Sequence, residues 1–336
     1  MSDADFTWID GERLIRYGEG ALEDAGRLLS ERGFSGFVLL TTERAAEQAS
    51  GLRKAAAAVL AVPPGPVPDA AAAVHADTRR RPLVALGGGR VIDAAKAIAA
   101  SDRLACAAVP TTLSAAEMTP FHRLPAGVDG YGLVRPSVVI AVPALMASQP
   151  MPHLAASAMN ALGHAVEALY VRLTNPVAKL AGLRAAALIA RGLAPEQPAR
   201  ADLALGALLG GYAIGTTGFG LHHVICQTIV RVCGTPHAQT NAVMLPHVLR
   251  AMAARAPTEL GELALALGAD RERAAKAAAL TAALAARAGP THLSELGVEE
   301  GQFGRIAAEA SGRPQLDATP DSPGEGELLE LLRGAL

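Results

Sequence analysis

Aromatic residues make up only 3% of this 336-residue chain, which leaves little material for stacking platforms on single-stranded nucleic acid. Neither sign of charge is in excess. With 30 basic and 32 acidic residues the formal net charge is −2, so there is no electrostatic case for nucleic acid or an anionic membrane as partner. Cysteine is scarce: Cys106, Cys226 and Cys233 form no CxxC pair, and an odd number cannot complete a disulfide framework. Reduced thiols in a cytoplasmic protein are expected. The opening residues, MSDADFTWIDGERL, are acidic and polar, unlike a secretion signal. The uncharged run from Leu203 to Leu221 is interrupted by glycines and a Thr-Thr pair, which predicts a buried core helix plus a loop rather than a membrane span.

Hydrophobic residues, at 51%, are ample for large buried cores, and the length favours two domains. Through about residue 150, short apolar runs alternate with helical stretches. Phe34 to Thr41, Arg81 to Leu86, Leu104 to Val109 and Val138 to Val142 are of strand length. Between the first two, ERAAEQASGLRKAAAAVL reads as one helix. Uniformly apolar strands separated by helices predict an α/β domain whose parallel sheet is covered on both faces. From 151 to 336, alanine- and leucine-rich stretches dominate and predict an all-α domain. Arg313 to Gly326, rich in proline and glycine, is expected to be a loop before a short terminal helix.

Gly87-Gly88-Gly89 follows the second strand and precedes a helix. Glycines there let the backbone approach an anion closely, while the helix N-terminus offers unpaired N–H groups to a pyrophosphate. The turn alone is a weak signal, and the G-x-G-x-x-G spacing is absent. Thr111 and Thr112, at the end of the next strand, add hydroxyls suited to a cofactor ribose or amide. Arg90 either faces the phosphates or points to solvent. After the first strand stand Thr42 and, close by, Arg44; in the nicotinamide-dependent family that the motifs below resemble, members preferring NAD often carry an aspartate there, which would repel a 2′-phosphate, so that resemblance allows NADPH beside NADH.

In the second half, Asn160, His164 and Glu167 fall at i, i+4 and i+7 and share a helix face. His223 and Gln227 are one turn apart, and His237 follows Pro236. A single histidine on an apolar helix is usually a core residue; three at these spacings favour a site.

GGGRVIDAAKAIA and VPTTLSAAEMTP resemble the GGGS-x-x-D-x-x-K and PTT-x-x-x-x-E segments of the iron-containing alcohol dehydrogenases. The resemblance implies a Rossmann-like, dehydroquinate synthase-like N-terminal domain, residues 1–150, and a helical substrate and metal-site domain, residues 151–336. It places Gly87, Gly88, Gly89, Thr111, Thr112 and Thr42 at the cofactor, with Asn160, His164, His223 and His237 at the positions of the metal ligands. MNALGHAVEALY and GLHH are more similar to the maleylacetate reductase branch, which has asparagine at the first ligand position.

A neutral carboxamide is a weaker ligand than a carboxylate, so iron or zinc is possible but not favoured; three histidines plus water is still an accepted zinc set. Without metal, His223 and His237, supported by His164, are expected to stabilise a developing enolate and deliver a proton. The expected reaction is NADH- or NADPH-dependent reduction of maleylacetate to 3-oxoadipate in aromatic degradation. The alternatives are a metal-dependent alcohol dehydrogenase or aldehyde reductase acting on a small carbonyl substrate, and a cofactor-binding relative with redirected or lost catalysis. Gln227, where relatives carry a second histidine, cannot shuttle a proton at neutral pH. Arg231 either clamps a substrate carboxylate or lies on the surface. A homodimer is implied by the resemblance.

Overall fold

The computed structural model describes residues 5–130, 132–271 and 273–336. The chain divides into two compact units, Met1–Ser148 and Gln149–Leu336.

The first unit is built on a seven-stranded sheet in the order β1-β2-β7-β6-β5-β3-β4. The strands are β1 Phe6–Asp10, β2 Arg13–Tyr17, β3 Val38–Thr41, β4 Ala58–Ala61, β5 Leu83–Gly87, β6 Cys106–Pro110 and β7 Val138–Ala141. All neighbours are parallel except β1, which is antiparallel to β2. The helices are α1 Ala21–Glu31, α2 Glu43–Gln48, α3 Ser50–Ala55, α4 Val67–His75, α5 Gly89–Asp102 and α6 Pro143–Met146. Alternate residues of each central strand enter opposite cores, which is why the strands are apolar throughout. Leu39, Val84 and Leu86 pack with Ala25, Leu28 and Leu29 of α1. On the other face Val38, Leu40, Leu83 and Ala85 pack with Val74 of α4 and Ile92 and Ile98 of α5.

Two expectations are corrected here. Residues 43–60 are not one helix: the chain leaves helical conformation at Ala49 (φ −136°, ψ 57°), resumes as α3, and ends in the edge strand β4. That strand satisfies the open side of β3, with Ala57 N–H donating to Phe37 O and Val62 N–H to Thr41 O. The first strand is also shorter than Phe34 to Thr41. Gly36, at φ +66°, turns the chain before Val38, although Phe34 and Phe37 still enter the core. The hairpin of β1 and β2 carries no strong apolar run and went unanticipated.

The second unit is helical: α7 Met151–Tyr170, α8 Pro176–Leu193, α9 Arg200–Thr217, α10 Leu221–Cys233, α11 His237–Met252, α12 Pro257–Ala266, α13 Ala274–Ala285, α14 Phe303–Ser311 and α15 Glu325–Arg333. The helix expected from Arg271 begins at Ala274, and Glu272 lies outside the described residues. The proline-rich stretch holds a 3-10 turn, Pro314–Ala318. α7 is buried from Leu154 to Tyr170 and forms the centre of the unit. Alanine and glycine let its neighbours approach closely: a Cβ on Gly210 of α9 would stand 2.9 Å from Ala161 O of α7. Among the described residues no single helix is long and apolar enough to cross a membrane.

Two predictions follow from burial. Gly163 of α7 faces α10, and a Cβ there would lie 2.6 Å from His222 Nε2 and 2.8 Å from its Cδ2. Gly163→Ala therefore forces the imidazole aside and costs about 1–3 kcal/mol in urea unfolding. In the first unit, both oxygens of Glu117 are buried without a hydrogen-bond partner. Burial raises this carboxyl from 4.5 to about 7, against the opposing pull of Lys96 and Arg13. The folded chain then holds the proton that the unfolded chain releases first, so stability is lost as pH rises through that window. Urea unfolding of wild type and Glu117→Gln should show wild type losing roughly 2–3 kcal/mol relative to the variant between about pH 5 and pH 8.

Candidate functional site

In the first unit, the sheet order reverses between β3 and β5: the chain runs outward through β4, then returns to the other side of β3. Ligands of open α/β sheets bind at the carboxyl ends of strands beside such a reversal. Thr42 follows β3 there, and Gly87-Gly88-Gly89 joins β5 to α5. The N-cap of α5 is Gly88, with no side-chain cap; Val91 N–H turns back to Gly88 O at 3.0 Å, so the N–H groups of Gly89 and Arg90 are the ones no side chain caps at this helix start. Thr111 N–H donates to Gly87 O at 3.0 Å, fixing the threonine loop against the glycines. A Cβ on Gly88 would stand 2.9 Å from Thr112 Cγ2, and one on Gly89 3.1 Å from Ser114 Cβ. Thr112 Oγ1 is buried without a hydrogen-bond partner. An uncapped helix start beside an orphaned hydroxyl fits a phosphate group. Thr42 Oγ1 accepts from Ala45 N–H as the cap of α2, and both Arg44 and Arg90 are exposed.

Asp93 and Lys96, the D-x-x-K pair of this segment, have a structural task. Fully buried Lys96 Nζ donates to Asp93 Oδ1 at 2.7 Å, Ala116 O at 3.0 Å and Phe121 O at 2.7 Å. It ties α5 to the loop that follows β6.

In the second unit, α7 brings Asn160, His164 and Glu167 to one face, as their spacing predicts. α10 brings His222 and His223 against them. The rings of His164 and His223 stack with centroids 4.7 Å apart and planes within 12°. His223 Nδ1 lies 2.5 Å from Glu167 Oε2, while Glu167 Oε1 accepts from Gly220 N–H at 3.0 Å and His222 N–H at 2.8 Å. Asn160 Oδ1, His164 Nδ1 and His223 Nε2 are buried with no hydrogen-bond partner. Burial disfavours charge throughout the cluster, pushing the Glu167 carboxyl up and the His164 and His223 imidazoles down.

His237 is exposed at the start of α11, with Nε2 3.3 Å from Asn241 Nδ2. Burial is the main cause that pushes the imidazoles of His164, His222 and His223 down, and a proton on His237 would push them further the same way. Gln227 and Arg231 lie farther along α10. Gln227 Oε1 accepts from Arg313 Nη2 at 2.7 Å. Arg231 is exposed and paired with Glu309 at 2.7 Å, which gives the surface reading of that residue.

This donor set fits a divalent cation poorly. Stacked, nearly parallel imidazoles aim their in-plane lone pairs side by side rather than at one point. Asn160 supplies a neutral oxygen, and both oxygens of Glu167, the carboxylate beside these rings, are already engaged. Among the described residues no three His, Cys, Asp or Glu side chains are grouped to hold a metal ion.

Sequence reasoning placed Glu167 on the shared face and gave it no task. Its partners are the first turn of α10, more than fifty residues away. Arg313 was missed altogether, because it lies in a stretch read only as a loop.

Residues 154–336 match the C-terminal part of the Fe-containing alcohol dehydrogenase family, and residues 13–131 match the iron-containing alcohol dehydrogenase family. The chain is 32% identical over 340 residues to a maleylacetate reductase of Sphingobium indicum, covering 96% of this chain and 95% of that one. The crystal structure of a maleylacetate reductase from Agrobacterium tumefaciens is similar with a TM-score of 0.83 and 29% identity, covering 100% of this chain and 99% of that one. A putative alcohol dehydrogenase from Ralstonia eutropha gives 0.86 and 30%, covering 99% and 98%. With both parts of the family matched and relatives aligned nearly end to end, this oxidoreductase belongs to the iron-containing alcohol dehydrogenase family and is similar to its maleylacetate reductase branch.

Proposed function

We propose that this enzyme is a metal-independent, NADH- or NADPH-dependent reductase of an unsaturated oxo-diacid, taking maleylacetate to 3-oxoadipate. The observation that carries this reading is the buried His164–His223 pair, backed by Glu167 and sharing its helix face with Asn160, a neutral carboxamide that holds a divalent cation more weakly than a carboxylate. The relatives named maleylacetate reductase support it.

The dinucleotide, when bound, supplies a hydride. The glycine turn and the start of α5 would hold its pyrophosphate, beside the unpartnered Thr112 Oγ1. On the substrate, the new C–H bond forms at the carbon β to the ketone, and the electron pair of the C=C bond moves toward the ketone oxygen. The enolate that develops needs a preorganised donor, and His223 Nε2 and His237 are the groups available in this cluster. A proton then adds at the α-carbon and restores the ketone. With the His223 ring neutral and the buried Glu167 carboxyl raised to about 7, Glu167 orients the ring by donating its proton from Oε2 to Nδ1, which leaves the ring N–H on Nε2 for the substrate. His164, stacked on His223, supports the ring and keeps it dry. A metal-dependent alcohol dehydrogenase is the second reading, favoured by the similarity to the Ralstonia eutropha protein.

The deciding measurement is oxidation of NADH and NADPH with maleylacetate, with and without prior EDTA. Turnover that survives EDTA is expected; loss on chelation with recovery on adding metal selects the second reading. His223→Gln should lower kcat by about 10²-fold or more while the fold is retained. Gly88→Val, which drives a side chain into Thr112, should weaken NADH binding by about tenfold or more in a fluorescence titration, with an unchanged circular dichroism spectrum.

A further inference from the structure

At the end of the sheet opposite the glycine turn, β5 and β6 begin side by side, with Leu83 level with Cys106. The chain enters β5 through Arg79, Arg80 and Arg81, and it enters β6 after Arg103. Arg79 (φ +49°), Arg80 (φ +54°) and Arg103 (φ +57°) are all left-handed, a conformation that glycine takes freely and that strains a residue with a Cβ. Among the described residues only two other non-glycine positions, Ala115 and Asp321, have positive φ, so the strain gathers at this corner. Backbone strain of this kind clusters at binding sites, where the side chain it carries is needed.

The same corner holds a cavity of about 460 Å³, lined by His75 at the end of α4, Arg79, Arg80, Asp102 at the end of α5 and three alanines. The Asp102 carboxylate is already engaged. Its Oδ1 lies 3.0 Å from His75 Nε2 and 3.7 Å from Arg80 Nη1, while Arg80 Nη2 donates to Asp102 O at 3.0 Å. Arg80 therefore serves the carboxyl end of α5 as well as lining the cavity. Arg79 has no such duty: among the described residues its guanidinium has no hydrogen-bond or ion-pair partner. Around the corner four arginines stand against two aspartates, Asp77 and Asp102, in a chain whose net charge is −2.

A phosphate ester carries roughly two negative charges at neutral pH and three strong acceptor oxygens. Guanidinium forks suit such oxygens better than any other side chain. The cavity is larger than phosphate alone requires and falls among small-molecule sites, which run from about 300 to 1,000 Å³. Its alanines leave room for the rest of a small ligand. We propose that this cavity is a second ligand site, which takes the phosphate group of a small metabolite on Arg79 and Arg80, with Asp102 holding Arg80 in place. It lies at the amino ends of the strands, so its occupant and a dinucleotide at the glycine turn do not compete, and it is independent of which substrate the histidine cluster takes.

The test is calorimetric titration of glycerol 3-phosphate and of inorganic phosphate into the full chain, Arg79→Gly and Gly88→Val. Wild type should bind saturably, and Gly88→Val, altered at the glycine turn, should bind equally well. Arg79→Gly should bind about tenfold or more weakly. Glycine suits the left-handed φ, so the melting temperature of Arg79→Gly without phosphate should be no lower than that of wild type. Tighter binding of the ester than of inorganic phosphate identifies the occupant as an organic phosphate, and the reverse order identifies the free ion; either upholds the site. No saturable binding to wild type overturns the proposal, as does undiminished binding in Arg79→Gly or a loss confined to Gly88→Val. A lower melting temperature in Arg79→Gly also overturns it, because the arginine would then be a structural cap.

Discussion

Glu167 has no access to solvent near the end of α7, yet its Oε1 accepts from Gly220 N–H and His222 N–H and its Oε2 is hydrogen-bonded to His223 Nδ1, in and before the first turn of α10. A buried carboxylate without partners is costly, so α10 must begin where it does and His223 must face where it does for this residue to be tolerated. The same contact caps a helix start and orients an imidazole. Gly163, one turn earlier on α7, removes the side chain that would hold α10 off. Thr319 meets the same turn of α10 through Leu221 N–H.

From that constraint the character of the site follows. Burial keeps the imidazoles neutral, stacking keeps their lone pairs from meeting at one point, and Asn160 contributes oxygen without charge. Such a place is better at donating and accepting hydrogen bonds than at neutralising a divalent ion. The family resemblance and the local chemistry thus describe different things: the first a shared scaffold, the second what this chain has put on it.

Much of this was legible in the sequence wherever the cause was local. The glycine turn, the threonine loop and the i, i+4, i+7 face of α7 are set by neighbours in the chain, and the structure places each at a strand end or on one helix face. What escaped depends on distant partners. β4 forms from alanine-rich residues because β3 has an open edge to fill, a demand that no helical propensity scale contains. The pairing of Arg313 with Gln227 spans 86 residues, and nothing near Arg313 announces it. The task of Glu167 is likewise written in the position of another helix.

Lys96 has one more consequence. Because its ammonium bonds at once to Asp93 of α5 and to the carbonyls of Ala116 and Phe121, α5 and the loop after β6 are already tied together before anything arrives. The entropy of ordering that loop belongs to folding rather than to binding. A dinucleotide meeting it would dock on a finished surface, with an association rate set by diffusion and orientation, and no loop closure to wait for.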